Sequence, residues 1–373
     1  MKIAFVLFKY FPFGGLQRDF LKIAKKVSAM GHEIVVYVRE WNGEKPEEFE
    51  IKIVPTRSFT NQGKDCEFFE SVRRDLAKNP VDRVVGFNKM PGLDYYYAAD
   101  DCLATRLKNK NFLVKLLPRY KKRIDYEKAV FSKNSKTKVL VLTEAQKFNY
   151  KEAYGTEDSR FTVLPPGAPK LTLTPEEKLR ERQKVRAKEG INKNTIWLLQ
   201  VGSNYKLKGV ERTLRAVASL PPSLRDYVEL FVIGQDKADR FVRLAIKLSI
   251  QKNVTFFKGR SDVLDLMNGA DLLMHPSKHE SAGLVIVESL TRWLPSIVTD
   301  TCGYCYHVKN SGAGIVVPSP FEQNKLNEAL RQLLEDKNLL NTLSKKARTY
   351  TETQDIYSLH ETAAKIITGE KCL

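Results

Sequence analysis

The sequence predicts an α/β protein of two Rossmann-like, doubly wound parallel-sheet domains facing a cleft. Three observations carry this expectation. Continuous apolar runs alternate with helical periodicity in the first part of the chain. A proline-rich, highly charged stretch at 165–190 then breaks the pattern. Beyond it the alternation starts again, with most strands closed by Gly or Pro. Unbroken rather than alternating hydrophobicity marks strands covered on both faces, as parallel sheets are.

The first strand is read at IAFVLF (3–8), and the loop FPFGG follows it. The next helix carries Leu16, Phe20, Ile23, Val27 and Met30 on one face and ends at Gly31; IVVYV (34–38) then makes the second strand. Further strands are expected at RVVGF (83–87) and KVLVLT (138–143). After the hinge they are expected at WLLQVG (197–202), ELFVIG (229–234), VTFFKG (254–259), DLLMHP (271–276) and PSIVTD (295–300). A last helix with Leu359, Ala363, Ile366 and Ile367 could pack back on the first domain. The domains are therefore placed at 1–164 plus 350–373 and at 165–349.

With 373 residues and 42% hydrophobic content the chain can bury two cores. No apolar run reaches the ~18 residues that span a bilayer. The apolar N-terminus is interrupted by Lys9 and lacks a small-residue cleavage site, so it reads as a strand and the protein as cytoplasmic. Five scattered cysteines fit a reducing compartment. Cys302-Gly-Tyr-Cys305 is an isolated CxxC, read as coincidence; no second pair offers a zinc site. His275 and His279 lie at a strand end and in a loop, not on a helix, so no metal site is expected.

Charge is clustered. The net charge is +18, and residues 101–140 hold 12 Lys and Arg against 3 acids, or 12 − 3 = +9. Something acidic is the expected partner of that region. In CLATRLKNKNFLVKLLPRYKKRIDYEKAVF (102–131), Leu103, Leu107, Val114 and Leu117 follow helical spacing, reinforced by Phe112, Leu113 and Leu116. Lys108, Lys110, Lys115, Arg119, Lys121, Lys122 and Arg123 fill the remaining positions. An amphipathic basic helix suits an anionic membrane surface; the competing reading is a packed helix with solvated lysines. No stacking platform accompanies the charge, so nucleic acid is not the expected partner.

The chemistry is sought at strand ends, where ligands of such sheets bind. No GxGxxG or P-loop appears. Gly14-Gly15 precedes a helix carrying Arg18 and Asp19 near its start; it is either a tight turn or a place where a ligand meets the backbone and a helix N-terminus. VGSNYKLKGVER places Lys206 and Lys208 after a buried strand, where they either neutralise a diphosphate or are merely solvated. HESAGLVIVESL (279–290) puts Glu280 before a buried helix and Glu288 within it. Free N–H groups at Ala282, Gly283 and Leu284 suit phosphate or sugar hydroxyls. A carboxylate on a buried helix is costly unless hydrogen-bonded, and a ribose diol would satisfy Glu288.

A Glu followed by seven residues and a second Glu resembles the signature of retaining glycosyltransferases of family 4, which have the GT-B fold. FPFGGLQRDF, GHE, VVGFNKMPGLDYYYAAD, VLPPG, VGSNYKLKG, VIGQD, FFKGRSDV and QDIYSL extend the resemblance along almost the whole chain, toward the lipopolysaccharide-core glucosyltransferases of that family. The resemblance implies metal-independent, retaining α-1,3 transfer from UDP-glucose to an inner-core heptose, by a peripheral enzyme on anionic inner-membrane lipid at its cytoplasmic face. It implies Gly15 and Asp19 at the cleft face of the first domain and Asp100 facing the reacting centre. It also implies catalytic roles for Asp19, Asp100 and Glu280, and Gly15, Lys206 and Lys208 on UDP-glucose, with Lys208 at the diphosphate. Glu280 with the backbone of Ala282, Gly283, Leu284 and Val285 would surround glucose and phosphate. Glu288 would hold the ribose, and Arg260 with Ser261 would lie near the uracil. Leu207 and Thr172 depart from the family, which commonly has arginines there. The alternatives are another nucleotide-sugar or glycolipid acceptor for the same fold, or a non-catalytic basic lipid-binding protein.

Overall fold

The computed structural model describes residues 1–12, 14–108 and 117–370, in two compact units: Met1–Pro165 with Ser358–Leu373, and Pro166–Tyr357. The expected second boundary at 349/350 would cut the helix Lys337–Thr353, which stays whole within the second unit.

In the first unit, β1 (Lys2–Val6), β3 (Glu33–Val38), β5 (Phe49–Ile53), β6 (Arg83–Gly86), β7 (Tyr95–Ala98), β8 (Lys138–Val141) and β9 (Phe161–Val163) form one parallel sheet in the order β5-β3-β1-β6-β7-β8-β9. Two-residue strands β2 (Lys9–Tyr10) and β4 (Glu40–Trp41) pair beside it. Ile3, Ala4, Phe5 and Val6 are fully buried, as an unbroken apolar strand requires. The helix Gly15–Ala29 buries Phe20, Ile23, Ala24 and Val27. Against it packs the C-terminal helix Leu359–Thr368, joined by Lys26–Glu361 at 2.7 Å and His360–Asp19 at 2.9 Å.

The second unit has the order β12-β11-β10-β13-β14-β15, all parallel, from β10 (Ile196–Val201), β11 (Val228–Ile233), β12 (Val254–Phe257), β13 (Leu272–His275), β14 (Ser296–Thr299) and β15 (Gly314–Val317). This is the doubly wound order whose winding reverses between its first and fourth strands, here β10 and β13. Trp197 on β10 is fully buried; a Cβ at Gly269 would meet its ring at 2.5 Å, so that glycine lets a helix close onto the sheet. The helix Pro175–Lys188, opened by a Thr174–Glu177 capping box, is tied down by Arg182 and Arg186 on Asp271, which also accepts from Trp197 N–H at 2.7 Å.

The basic segment is not one continuous helix. Helix Leu103–Lys108 and helix Pro118–Phe131 flank residues that lie outside the described ones, and Pro118 opens the second helix at its first turn, where proline's missing N–H costs nothing. Both helices are stapled by Glu127, which is fully buried. Its carboxylate accepts from Lys89 Nζ at 2.6 Å, Tyr154 Oη at 2.7 Å and the N–H groups of Leu103 and Ala104 at 2.9 and 3.0 Å. Removing one partner of such a pair strands the other as a buried charge. Glu127→Ala is therefore expected to cost about 3–5 kcal/mol in urea denaturation. Asp158→Ala, at an exposed pair with Lys147 and Lys151, should leave the same curve in place.

Candidate functional site

In the second unit the switch point brings together the loops that follow β10 and β13. Gly202 has φ +136°, and a Cβ there would come within 3.0 Å of the Lys208 side chain, so the lysine stem folds back over a glycine. Gly209, at φ +73°, lies so close to the second loop that a Cβ would sit 2.0 Å from the Pro276 carbonyl. Asp236 accepts from the N–H groups of Asn204 and Tyr205 at 2.9 and 2.6 Å. Leu207 O accepts from Lys278 N–H at 2.7 Å and Ser277 Oγ at 3.0 Å. Both loops are thus fixed to each other by backbone.

Their meeting delivers Lys208 Nζ to Glu280 Oε1. On the other side His275, fully buried at the end of β13, places Nε2 2.5 Å from Glu280 Oε2. The Glu280 backbone is clamped as well: its N–H donates to Thr301 O at 3.1 Å, and Gly303 N–H donates to its carbonyl at 3.0 Å. Burial alone would push this carboxyl up, but His275 and Lys208 outweigh it and hold the group down at about 2. Burial, reinforced by Glu280, pushes the neighbouring Cys302 thiol up to about 12. Among the described residues His275, Glu280 and Cys302 form a group whose ligand atoms lie within 4.8 Å of one another, as a metal ion would need. The Lys208 ammonium already occupies one oxygen of that carboxylate.

Gly283, at φ +95°, caps the helix Leu284–Thr291, so N–H groups of residues 284–286 belong to its first turn. Ala282 O is engaged by Tyr304 N–H at 2.7 Å. Glu288 is half-buried on that helix and Lys206 is exposed on its loop. Ser261 is exposed beside Arg260, whose guanidinium is filled by Glu189 at 2.9 and 2.7 Å and by Asp262 at 2.8 Å. Thr172 is exposed.

In the first unit, Gly15 begins its helix, and a Cβ there would meet no protein atom within 4 Å, so packing does not demand glycine. Asp19 accepts from Tyr97 Oη at 2.7 Å and from His360 at 2.9 Å. Asp100 accepts from Tyr96 Oη at 2.5 Å and Lys89 Nζ at 2.9 Å. Of the residues assigned to lipid, Lys110, Phe112, Lys115 and Leu116 lie outside the described residues. Leu107 is buried and Leu103 half-buried, so these two serve the unit's interior rather than a lipid face. Lys108, Lys121, Lys122 and Arg123 are exposed, and Arg119 lies in the first turn of its helix.

Sequence reasoning missed His275 as the partner of Glu280, Glu189 as the partner of Arg260, and the Lys89–Glu127 pair; His360 and Tyr97 around Asp19 were also missed. Only His275 had a signal, its place at the end of a buried strand. The ionisation of Glu280 gives a test. Its carboxyl, ordinarily near 4.5, is held at about 2, so the stabilisation it adds is complete above the ordinary value and is lost as pH falls through about 2. Lys208→Met removes one opposing charge and leaves burial in place. Carboxyl-carbon NMR should then show Glu280 titrating at higher pH than in the parent.

Residues 13–169 match the family model described as Glycosyltransferase Family 4, and residues 181–350 the model described as Glycosyl transferases group 1. The chain is 47% identical over 375 residues to the lipopolysaccharide glucosyltransferase WaaG of Escherichia coli K12, covering 99% of each. It is 24% identical over 358 residues to a D-inositol 3-phosphate glycosyltransferase of Stackebrandtia nassauensis, covering 87% of this chain and 79% of that one. Among solved structures, that of WaaG, a glycosyltransferase involved in lipopolysaccharide biosynthesis, superimposes with a TM-score of 0.92 at 46% identity over 98% of this chain and all of that one. Anabaena HepE in complex with UDP-glucose shares the fold at a TM-score of 0.75 and 17% identity, covering 99% of this chain and all of that one. With two parallel Rossmann-like sheets and a relative this similar over its full length, the chain belongs to the GT-B glycosyltransferases of family 4.

Proposed function

We propose that this enzyme transfers glucose from UDP-glucose to a heptose of the lipopolysaccharide inner core, forming an α-1,3 linkage with retention and without a metal ion. The observation that carries the reading is the half-buried Glu280 carboxylate held ionised between Lys208 and His275 at the switch point of the second sheet. The full-length likeness to a lipopolysaccharide glucosyltransferase supports the choice of glucose and of core lipopolysaccharide.

The chemistry follows from the groups present. Cleaving the sugar–phosphate bond leaves negative charge on the diphosphate and positive character on the sugar. Lys208 has three N–H donors and spends one on Glu280; the others, with the N–H groups that open the helix Leu284–Thr291, meet the diphosphate. Glu280 has both oxygens engaged, which suits it to orient sugar hydroxyls through its remaining lone pairs rather than to attack carbon. The departing phosphate then takes the acceptor hydroxyl's proton on the same face, which accounts for retention. Glu288 is assigned to the ribose and Asp19 and Asp100 to the acceptor side. The exposed cations Lys108, Lys121 and Lys122 hold the enzyme to anionic lipid at the cytoplasmic face of the inner membrane, each adding about 1 kcal/mol near the surface. No helix among the described residues is long and apolar enough to cross a membrane.

Calorimetric titration with UDP-glucose, UDP-galactose and GDP-mannose, in chelator and without metal, should show UDP-glucose bound in preference. Preference for another donor would overturn the glucose assignment. Glu280→Gln should lower kcat by roughly 10²-fold, the order seen when one fixed electrostatic group is lost; unchanged turnover would remove Glu280 from the mechanism. Flotation with vesicles should recover the protein with anionic but not with neutral lipid, and equal recovery would exclude an electrostatic membrane contact.

A further inference from the structure

A cavity lies within the first unit, at the carboxyl ends of its central strands. It measures about 340 Å³, within the range of small-ligand sites. Phe8 follows β1, Asn88 and Lys89 follow β6, and Asp100 and Asp101 follow β7. The two helices that flank the basic segment supply a wall, with Arg106 from one and Arg123, Tyr126 and Glu127 from the other.

Its charges are arranged unevenly. Its acids are partly compensated from within the protein: buried Glu127 and exposed Asp100 share Lys89, half-buried Asp65 is paired with Arg39 at 2.7 Å, and Asp101 is half-buried in the wall. Arg106 and Arg123 are exposed, and Arg123 lies near enough to Asp65 to favour its charged form without being its hydrogen-bond partner, which is Arg39. Acids that are already paired still accept sugar hydroxyls through their remaining lone pairs. Two exposed guanidiniums at its outer side offer paired donors with the geometry of carboxylate or phosphate oxygens. We propose that this cavity is a subsite for an acceptor sugar bearing an anionic substituent, a carboxylate or a phosphate, with Arg106 and Arg123 as its ligands. The inference rests on the reading that the first unit takes the acceptor. It assigns Arg123 to the glycan rather than to the lipid surface.

The same anionic chemistry could come from a lipid headgroup, so the test uses a lipid-free inner-core oligosaccharide and, separately, the same glycan displayed on vesicles. Arg106→Ala and Arg123→Ala should each raise the KM for the lipid-free acceptor by about tenfold, with the KM for UDP-glucose unmoved and turnover retained at saturating acceptor. Arg123→Lys, which keeps the charge but loses the fork, should fall between. Treating the acceptor with phosphatase and reducing its carboxylates should raise the parent's KM by a similar factor and erase the difference between parent and variants, the coupling expected of partners in contact.

Unchanged KM values would overturn the proposal, as would a defect that persists on the anion-free acceptor. A defect seen only with vesicle-borne acceptor would place both arginines on the membrane instead. If the parent transfers no glucose to either acceptor, the functional reading has failed. Calorimetry with the lipid-free oligosaccharide then decides the subsite alone: binding lost on removal of its anionic groups and in both variants supports it, and binding indifferent to either refutes it.

Discussion

A carboxylate withdrawn from most of its water cannot stand alone, and the second unit is organised around that constraint at half-buried Glu280. Satisfying it takes an ammonium from the loop after β10 and an imidazole from the end of β13, on the two strands between which the winding reverses. Much else follows from bringing those groups within reach. Gly202 must lack a side chain for Lys208 to fold back, and Gly209 must lack one for the two loops to touch. The strap at Thr301 and Gly303 fixes the carboxylate from behind. The first unit meets the same constraint separately. There Glu127 is satisfied by Lys89, by a tyrosine and by a helix N-terminus, and Lys89 passes the interaction on to Asp100. In both units a parallel sheet ends in charged groups that are preorganised because each is paired, which is the condition under which polar groups act without reorganising.

The strands that could be read from sequence share one property. IAFVLF and IVVYV are unbroken apolar runs, WLLQVG and ELFVIG are interrupted only by Gln200 and Glu229, and their strands are buried over most of their length. The strands that were not read lack it. β5, FEIKI, alternates with charge because it forms a sheet edge; β9 is three residues long; β15 starts at a glycine; β7, YYYA, could as readily have been a helix face by composition. The site divides in a similar way. Glu280 stands out as a carboxylate bordering an apolar helix, and that contrast is visible in one dimension. Its partner His275 looks like the last residue of a strand, since only the fold decides which side chain a buried imidazole meets. Glu127 was hidden by its surroundings: in a stretch with 12 basic residues it counted merely as one of 3 acids, although it holds that stretch to the sheet.

The basic segment shows where periodicity misleads. Leu103, Leu107 and Leu117 fit one helical stripe, yet Pro118 could not have continued a helix without the loss of a backbone bond, and the chain starts a new helix there. Apolar residues of the stripe then have different surroundings. Leu107 is buried beside helix Glu144–Tyr154, while Leu117 remains 41% exposed. An exposed leucine next to Lys121 and Lys122 suits a lipid surface in a way that a buried one does not.

Preorganisation also decides between the two lysines of the donor loop. Lys206 and Lys208 flank the apolar Leu207 and are the two cations this loop offers. Lys206 is exposed and would have to be ordered by its ligand, at a cost of up to about 2 kcal/mol in side-chain entropy, and it would then offer a point charge rather than a fork. Lys208 has already met that cost: its stem lies over Gly202 and its ammonium on Glu280. In the proposed transfer Lys208 is therefore the principal cation for the diphosphate, with the N-terminus of the helix Leu284–Thr291 as its complement. The backbone of Leu207 still matters, because its carbonyl receives Lys278 and Ser277 and so ties the lysine loop to the one that carries Glu280. The tie runs through the backbone carbonyl, so a change of side chain at position 207 leaves it in place.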